Sequence, residues 1–130
     1  MGCTTCRILV IEDAPVIREP LSRLLGMEGF DVASAADGSE AMSILESQPI
    51  DLILLDVLMP RMDGVKFLSV LRGHERLQGG RHIAVIAITG ISDTLKLTQL
   101  RELGVRSIMH KVRFSFDALV DEIREQLALT

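Results

Sequence analysis

Leu52-Ile53-Leu54-Leu55-Asp56-Val57-Leu58-Met59-Pro60 opens on four consecutive aliphatic residues and then meets a carboxylate. A run of that length without polar alternation suits a strand covered on both faces, as parallel strands in α/β sheets are. Working outward, residues 8–11 and 83–88 repeat the pattern, and residues 31–35 and 105–109 mix polar with apolar side chains. The first three runs predict central strands, and the last two predict strands towards the sheet edges. Helical spacing fills the intervals: Val16, Ile17, Leu21, Leu24 and Leu25; Ala41, Ile44 and Leu45; Val65, Leu68 and Leu71; Leu95, Leu100 and Leu103; Phe116, Leu119, Val120, Ile123 and Leu127. Five alternating strand–helix units predict an α/β fold, a parallel sheet built from five strands and five helices.

Local signals set the expected boundaries. Asp13 with Pro15 supplies a cap and a first turn for the first helix. Pro20 is expected to kink that helix near its start or delay it, because an interior proline removes a hydrogen bond. Gly104 should end the fourth helix. Residues 73–81 read as an exposed loop.

The 130 residues match one compact domain, 1–130, with 1–6 expected to be a flexible N-terminus. With no Trp or Tyr and four Phe, the core must be aliphatic and no aromatic platform for nucleic acid is offered. A net charge of -4 also argues against a phosphate-backbone footprint. No apolar run is long enough to span a bilayer, so a cytoplasmic chain without membrane contact is expected. Cys3 and Cys6 lack the second pair that a four-ligand zinc site needs, and His74, His82 and His110 are scattered singly. Gly2 is a weak myristoylation signal because Cys6 stands where Ser or Thr is expected.

Ligands of open parallel sheets bind beyond the carboxyl ends of the strands, where the winding reverses. The residues just past the apolar runs are Glu12, Asp13, Asp56, Thr89 and Lys111. Singly, each has an ordinary explanation as a helix cap, a turn residue or a solvated charge. Together they put three carboxylates, a hydroxyl and an amine on one rim. Carboxylates so placed repel one another and call for a cation, and Mg²⁺ prefers oxygen ligands of this kind. A carboxylate can also attack phosphorus to give an acyl phosphate if the charge on the transferring oxygens is neutralised.

The motifs Ile8-Leu9-Val10-Ile11-Glu12-Asp13, Asp56-Val57-Leu58-Met59-Pro60-Arg61-Met62-Asp63-Gly64, Thr89-Gly90 and Lys111 resemble the receiver domain of two-component response regulators, chemotaxis regulators among them. The resemblance runs from Arg7 to Leu127. It implies a doubly wound, flavodoxin-like five-stranded parallel sheet with strand order 2-1-3-4-5 and five helices. It implies Asp56 as phosphoacceptor, with Glu12, Asp13, Asp56 and the backbone carbonyl of Leu58 around Mg²⁺, and Thr89 and Lys111 on the phosphoryl oxygens. It implies a sensor histidine kinase or histidine phosphotransfer protein as donor. A downstream protein effector would read the face of the fourth helix, fifth strand and fifth helix. Such a protein phosphorylates itself and is not a turnover enzyme.

Two positions depart from the family pattern. Ile108 stands where an aromatic residue is usual, which puts the aromatic rotamer switch in question. Val112 follows Lys111 where Pro is usual, and a trans bond is expected because a non-proline cis bond costs about 2.5–4 kcal/mol. Leu58 and Ile91 flank the expected path of hydrolytic water and are apolar, so slow self-dephosphorylation is expected. Leu95 or Leu97 is a candidate for a partner surface. Two other readings compete: a pseudo-receiver that binds partners without phosphorylation, and a flavodoxin-like cofactor binder, the latter weakened by the lack of a glycine-rich loop and of aromatics.

Overall fold

The computed structural model describes residues 6–59, 62–78, 82–89, 94–110 and 115–128. Among the described residues, seven strands and five helices follow in order: β1 (Arg7–Ile11), α1 (Pro15–Met27), β2 (Asp31–Ala35), α2 (Gly38–Ser47), β3 (Leu52–Asp56), β4 (Leu58–Met59), β5 (Met62–Asp63), α3 (Gly64–Gln78), β6 (Ala84–Thr89), α4 (Thr94–Glu102), β7 (Ser107–His110) and α5 (Phe116–Ala128). The main sheet is parallel throughout, in the order β2-β1-β3-β6-β7; counted among its own five strands this is 2-1-3-4-5. The doubly wound, flavodoxin-like architecture expected from the sequence is therefore the one observed. β4 and β5 form a separate short antiparallel pair.

Alternation along each central strand divides the core. Leu9, Ile11, Ile53, Leu55, Val85 and Ala87 face one side, where Ala41 of α2, Phe67, Leu68 and Leu71 of α3 and Leu100 of α4 cover them. Ile8, Val10, Leu52, Leu54, Ile86 and Ile88 face the other, covered by Leu25 of α1 and by Leu119, Val120, Ile123 and Leu127 of α5. Every residue of β3 is buried, whereas β2 and β7 are mostly half-buried, which agrees with their edge positions.

Three local expectations are corrected. The N-cap of α1 is Ala14 with no side-chain cap, not Asp13; Pro15 does open the helix. Pro20 does not delay α1: the helix starts at Pro15 and runs to Met27 with Pro20 inside it, held at its far end by the fully buried Leu25. α3 continues through residues 73–78, which were expected to be loop. A long-range network explains this: Arg72 Nη1 donates to Glu75 Oε1 at 3.0 Å, and Glu75 Oε2 accepts from the Ile83 N–H at 2.9 Å, so the end of α3 is fastened to the start of β6. Gly104 ends α4 as expected. Its φ of 85° lets its N–H reach Arg101 O and the next N–H reach Leu100 O, the paired bonds of a Schellman cap. Towards the N-terminus, Cys6 is buried and its carbonyl accepts from the Asp31 N–H.

Candidate functional site

The chain leaves β1, forms β2 on one side, and returns across β1 to form β3, so the winding reverses between β1 and β3. The two strands are in register from Ile8↔Leu52 to Ile11↔Leu55. Glu12 and Asp56 are each the next residue beyond that register, and they emerge side by side at the carboxyl edge. Carboxylate oxygens of Glu12, Asp13 and Asp56 all lie within 4.8 Å of one another. Glu12 and Asp56 are buried, and Asp13 is half-buried.

Such crowding has an electrostatic consequence. The Glu12 carboxyl is raised from 4.5 to about 7, first by burial and then by hydrogen bonding with Asp56 and Asp13; the Ala14 N–H, 3.3 Å from Oε2, pulls the other way. A proton held between hard oxygen donors near neutral pH marks a place that a divalent cation fits, since the ion offsets the same repulsion. These residues thus fit a Mg²⁺ ion.

Thr89, the last residue of β6, is almost wholly buried and lies one residue past the pairing of Asp56 with Ile88. It pairs with His110, the last residue of β7. Lys111, Val112 and Ile91 lie outside the described residues. Leu58 pairs with Asp63 in the short ladder directly beyond Asp56. Ile108 is half-buried and packs against the α2–α3–α4 side of the core. Leu95 is exposed, whereas Leu97 packs on the core.

Two features of the site were not read from the sequence. Arg18 on α1 donates from Nη1 to the carbonyls of Glu12 at 2.8 Å and Asp13 at 3.2 Å, which fixes the backbone of the acidic pair. Its spacing from the pair carries no motif, so only the fold reveals it. A cavity of about 230 Å³ also runs from Glu12 and Asp56 under α1, lined by Val10, Ile17, Leu21, Leu54 and Ile88.

Residues 8–124 match the family model described as the response regulator receiver domain. The chain is 45% identical over 124 residues to the response regulator MprA of Mycobacterium tuberculosis, covering 95% of this chain and 51% of that protein. It is 33% identical over 121 residues to the DNA-binding response regulator MtrA of Mycolicibacterium smegmatis, covering 93% and 50%. The chain thus spans about half the length of these relatives. Among solved structures, the CheY-like receiver protein of Methanospirillum hungatei superposes with a TM-score of 0.84 at 25% identity, covering 96% of this chain and 95% of that one. The Thermotoga maritima regulator TrrA, solved in complex with Mg(2+)-BeF, gives 0.78 at 29% identity, covering 94% and 99%. With the sheet order, the carboxyl-edge acidic cluster and these similarities together, the chain belongs to the response regulator receiver domain family of two-component signalling.

Proposed function

We propose that residues 1–130 form one receiver module that takes a phosphoryl group onto Asp56 from a phosphohistidine of a sensor histidine kinase or phosphotransfer protein. The observation that carries the reading is the convergence of Glu12, Asp13 and Asp56 within 4.8 Å at the sheet's reversal point. Glu12, Asp13, Asp56 and the Leu58 carbonyl would hold Mg²⁺, which when bound supplies charge neutralisation for the transferring oxygens. An Asp56 carboxylate oxygen attacks phosphorus, the bond from phosphorus to the donor nitrogen breaks, and the donor leaves with that electron pair. Burial of Asp56 excludes competing water, and Arg18 holds the Glu12–Asp13 backbone so that both carboxylates face the site. Thr89 and Lys111 hydrogen-bond the phosphoryl oxygens.

The module transfers to itself and is not a turnover enzyme. Its output is a population shift at the face of α4, β7 and α5, drawn by Thr89 and read by a protein effector in the cytoplasm. Among the described residues no helix is long and apolar enough to cross a membrane.

Intact-mass analysis after incubation with a small acyl phosphate tests this reading. One added phosphoryl group is expected with Mg²⁺, and none is expected with a chelator or in Asp56→Asn. Addition to Asp56→Asn, or none to the wild type with Mg²⁺, would remove Asp56 from its role. Thr89→Ala should still accept the group but bind the effector equally in both states.

A further inference from the structure

The opposite, amino edge of the sheet holds a second pocket, of about 520 Å³, lined by Arg72, Glu75, Arg76, His82, Glu102, Leu103 and Gly104. Arg72 is its centre and is more than nine-tenths buried. Three of its N–H groups serve the fold: Nε donates to Leu103 O at 2.8 Å, and Nη1 to Glu75 and to Ile83 O at 2.9 Å. Nη2 is buried and has no acceptor among the described residues. Two donors on a charged, desolvated nitrogen are costly to leave unmet, so a structural role accounts for only part of this side chain.

The orphan donors lie beside Gly104. A Cβ there would lie 3.2 Å from Arg72 Nη2 and 2.7 Å from His82 Nε2, so only glycine lets the His82 ring pack over this backbone beside Nη2. The charges are mixed: Glu75, engaged by Arg72 and by Ile83 N–H, also lies 3.7 Å from His82 Nδ1, and Glu102 lines the pocket with Arg76, so Arg72 Nη2 is the donor these carboxylates leave unmet. Burial, and then positive charge from Arg72 and Arg106 acting against the Glu75 carboxylate, hold the His82 imidazole below its usual range. His82 is half-exposed, so its ring can turn aside to admit an oxygen to Nη2.

We propose that this pocket binds a small molecule through an oxyanion, a phosphate or a carboxylate, with Arg72 Nη2, Arg76 and His82 as its donors. The volume exceeds what a bare inorganic ion fills and falls in the range of small-molecule sites. The site is at the far rim from Asp56 and does not depend on phosphorylation there.

The test is a titration of the full chain, carrying Asp56→Asn and with chelator present, with inorganic phosphate and separately with acetate, followed by amide resonances. Saturable shifts confined to residues 82–84 and 103–106 are expected. They should weaken about tenfold or more in His82→Ala and in Arg76→Ala, both surface changes that spare the Arg72 anchor. Response to phosphate alone assigns a phosphate ligand, and response to both probes assigns a general oxyanion site. Shifts that never saturate, that cluster at Glu12 and Asp56, or that persist unchanged in both variants overturn the proposal.

Discussion

At the scale of single residues, Glu12 has the most perturbed chemistry at the carboxyl edge of the sheet. Its carboxyl titrates near 7 in the folded chain against 4.5 in the unfolded one. The folded state therefore binds the extra proton between those values, and the stability this group contributes, complete below 4.5, is lost as pH rises through about 7. In chelator, thermal unfolding of the wild type should fall across that window relative to Glu12→Gln, which cannot ionise. Parallel curves for the two proteins would show that burial of Glu12 carries no such cost. Mg²⁺ should restore wild-type stability most strongly above pH 7, where the ion no longer competes with the proton.

At the scale of elements, one residue works against its surroundings. Pro20 sits within α1, where its missing N–H and its ring oppose the preceding turn. The helix survives because Pro15 opens it, Leu25 is fully buried and Arg18 ties it to the Glu12 and Asp13 carbonyls. Pro20→Ala should stabilise the protein by up to about 3 kcal/mol, read from the denaturant midpoint. Gly64, at the start of α3, is the reverse case. A Cβ there would meet Val57 Cα at 3.0 Å and Val57 O at 3.2 Å, both backbone atoms next to Asp56. Gly64→Ala should cost about 1–3 kcal/mol and slow phosphoryl addition by displacing Asp56. Wild-type rates in that variant would mean that the segment after Asp56 yields without moving the carboxylate.

At the scale of the whole molecule, stability rests on two aliphatic layers around one sheet. Phe67 is the largest fully buried side chain, and Phe67→Ala should lower unfolding free energy by about 3–5 kcal/mol. Leu95 is 68% exposed, and Leu95→Ala should change it by about 0.5 kcal/mol at most. Equal losses from both, measured by denaturant unfolding, would contradict the assignment of the core. The two rims of the sheet also differ in charge. The carboxyl edge gathers three carboxylates within 4.8 Å of one another, and the amino-edge pocket mixes guanidinium and imidazole groups with Glu75 and Glu102.

Apolar runs of strand length by themselves determined the three central strands, because a strand buried on both faces has no room for polar alternation. They also placed Glu12, Asp13 and Asp56 at strand ends. Periodicity is blind to strand order, which came from resemblance to a family and which the tertiary structure decides by pairing β1 with both β2 and β3. The helical course of residues 73–78 was illegible for a related reason. Its anchors are Leu103, 31 residues from Arg72, and Ile83, eight from Glu75. The raised Glu12 carboxyl, the Arg18 clasp and the orphaned Arg72 nitrogen likewise arise from groups brought together only by packing. Burial and through-space charge depend on distance in the fold, and local sequence does not encode that distance.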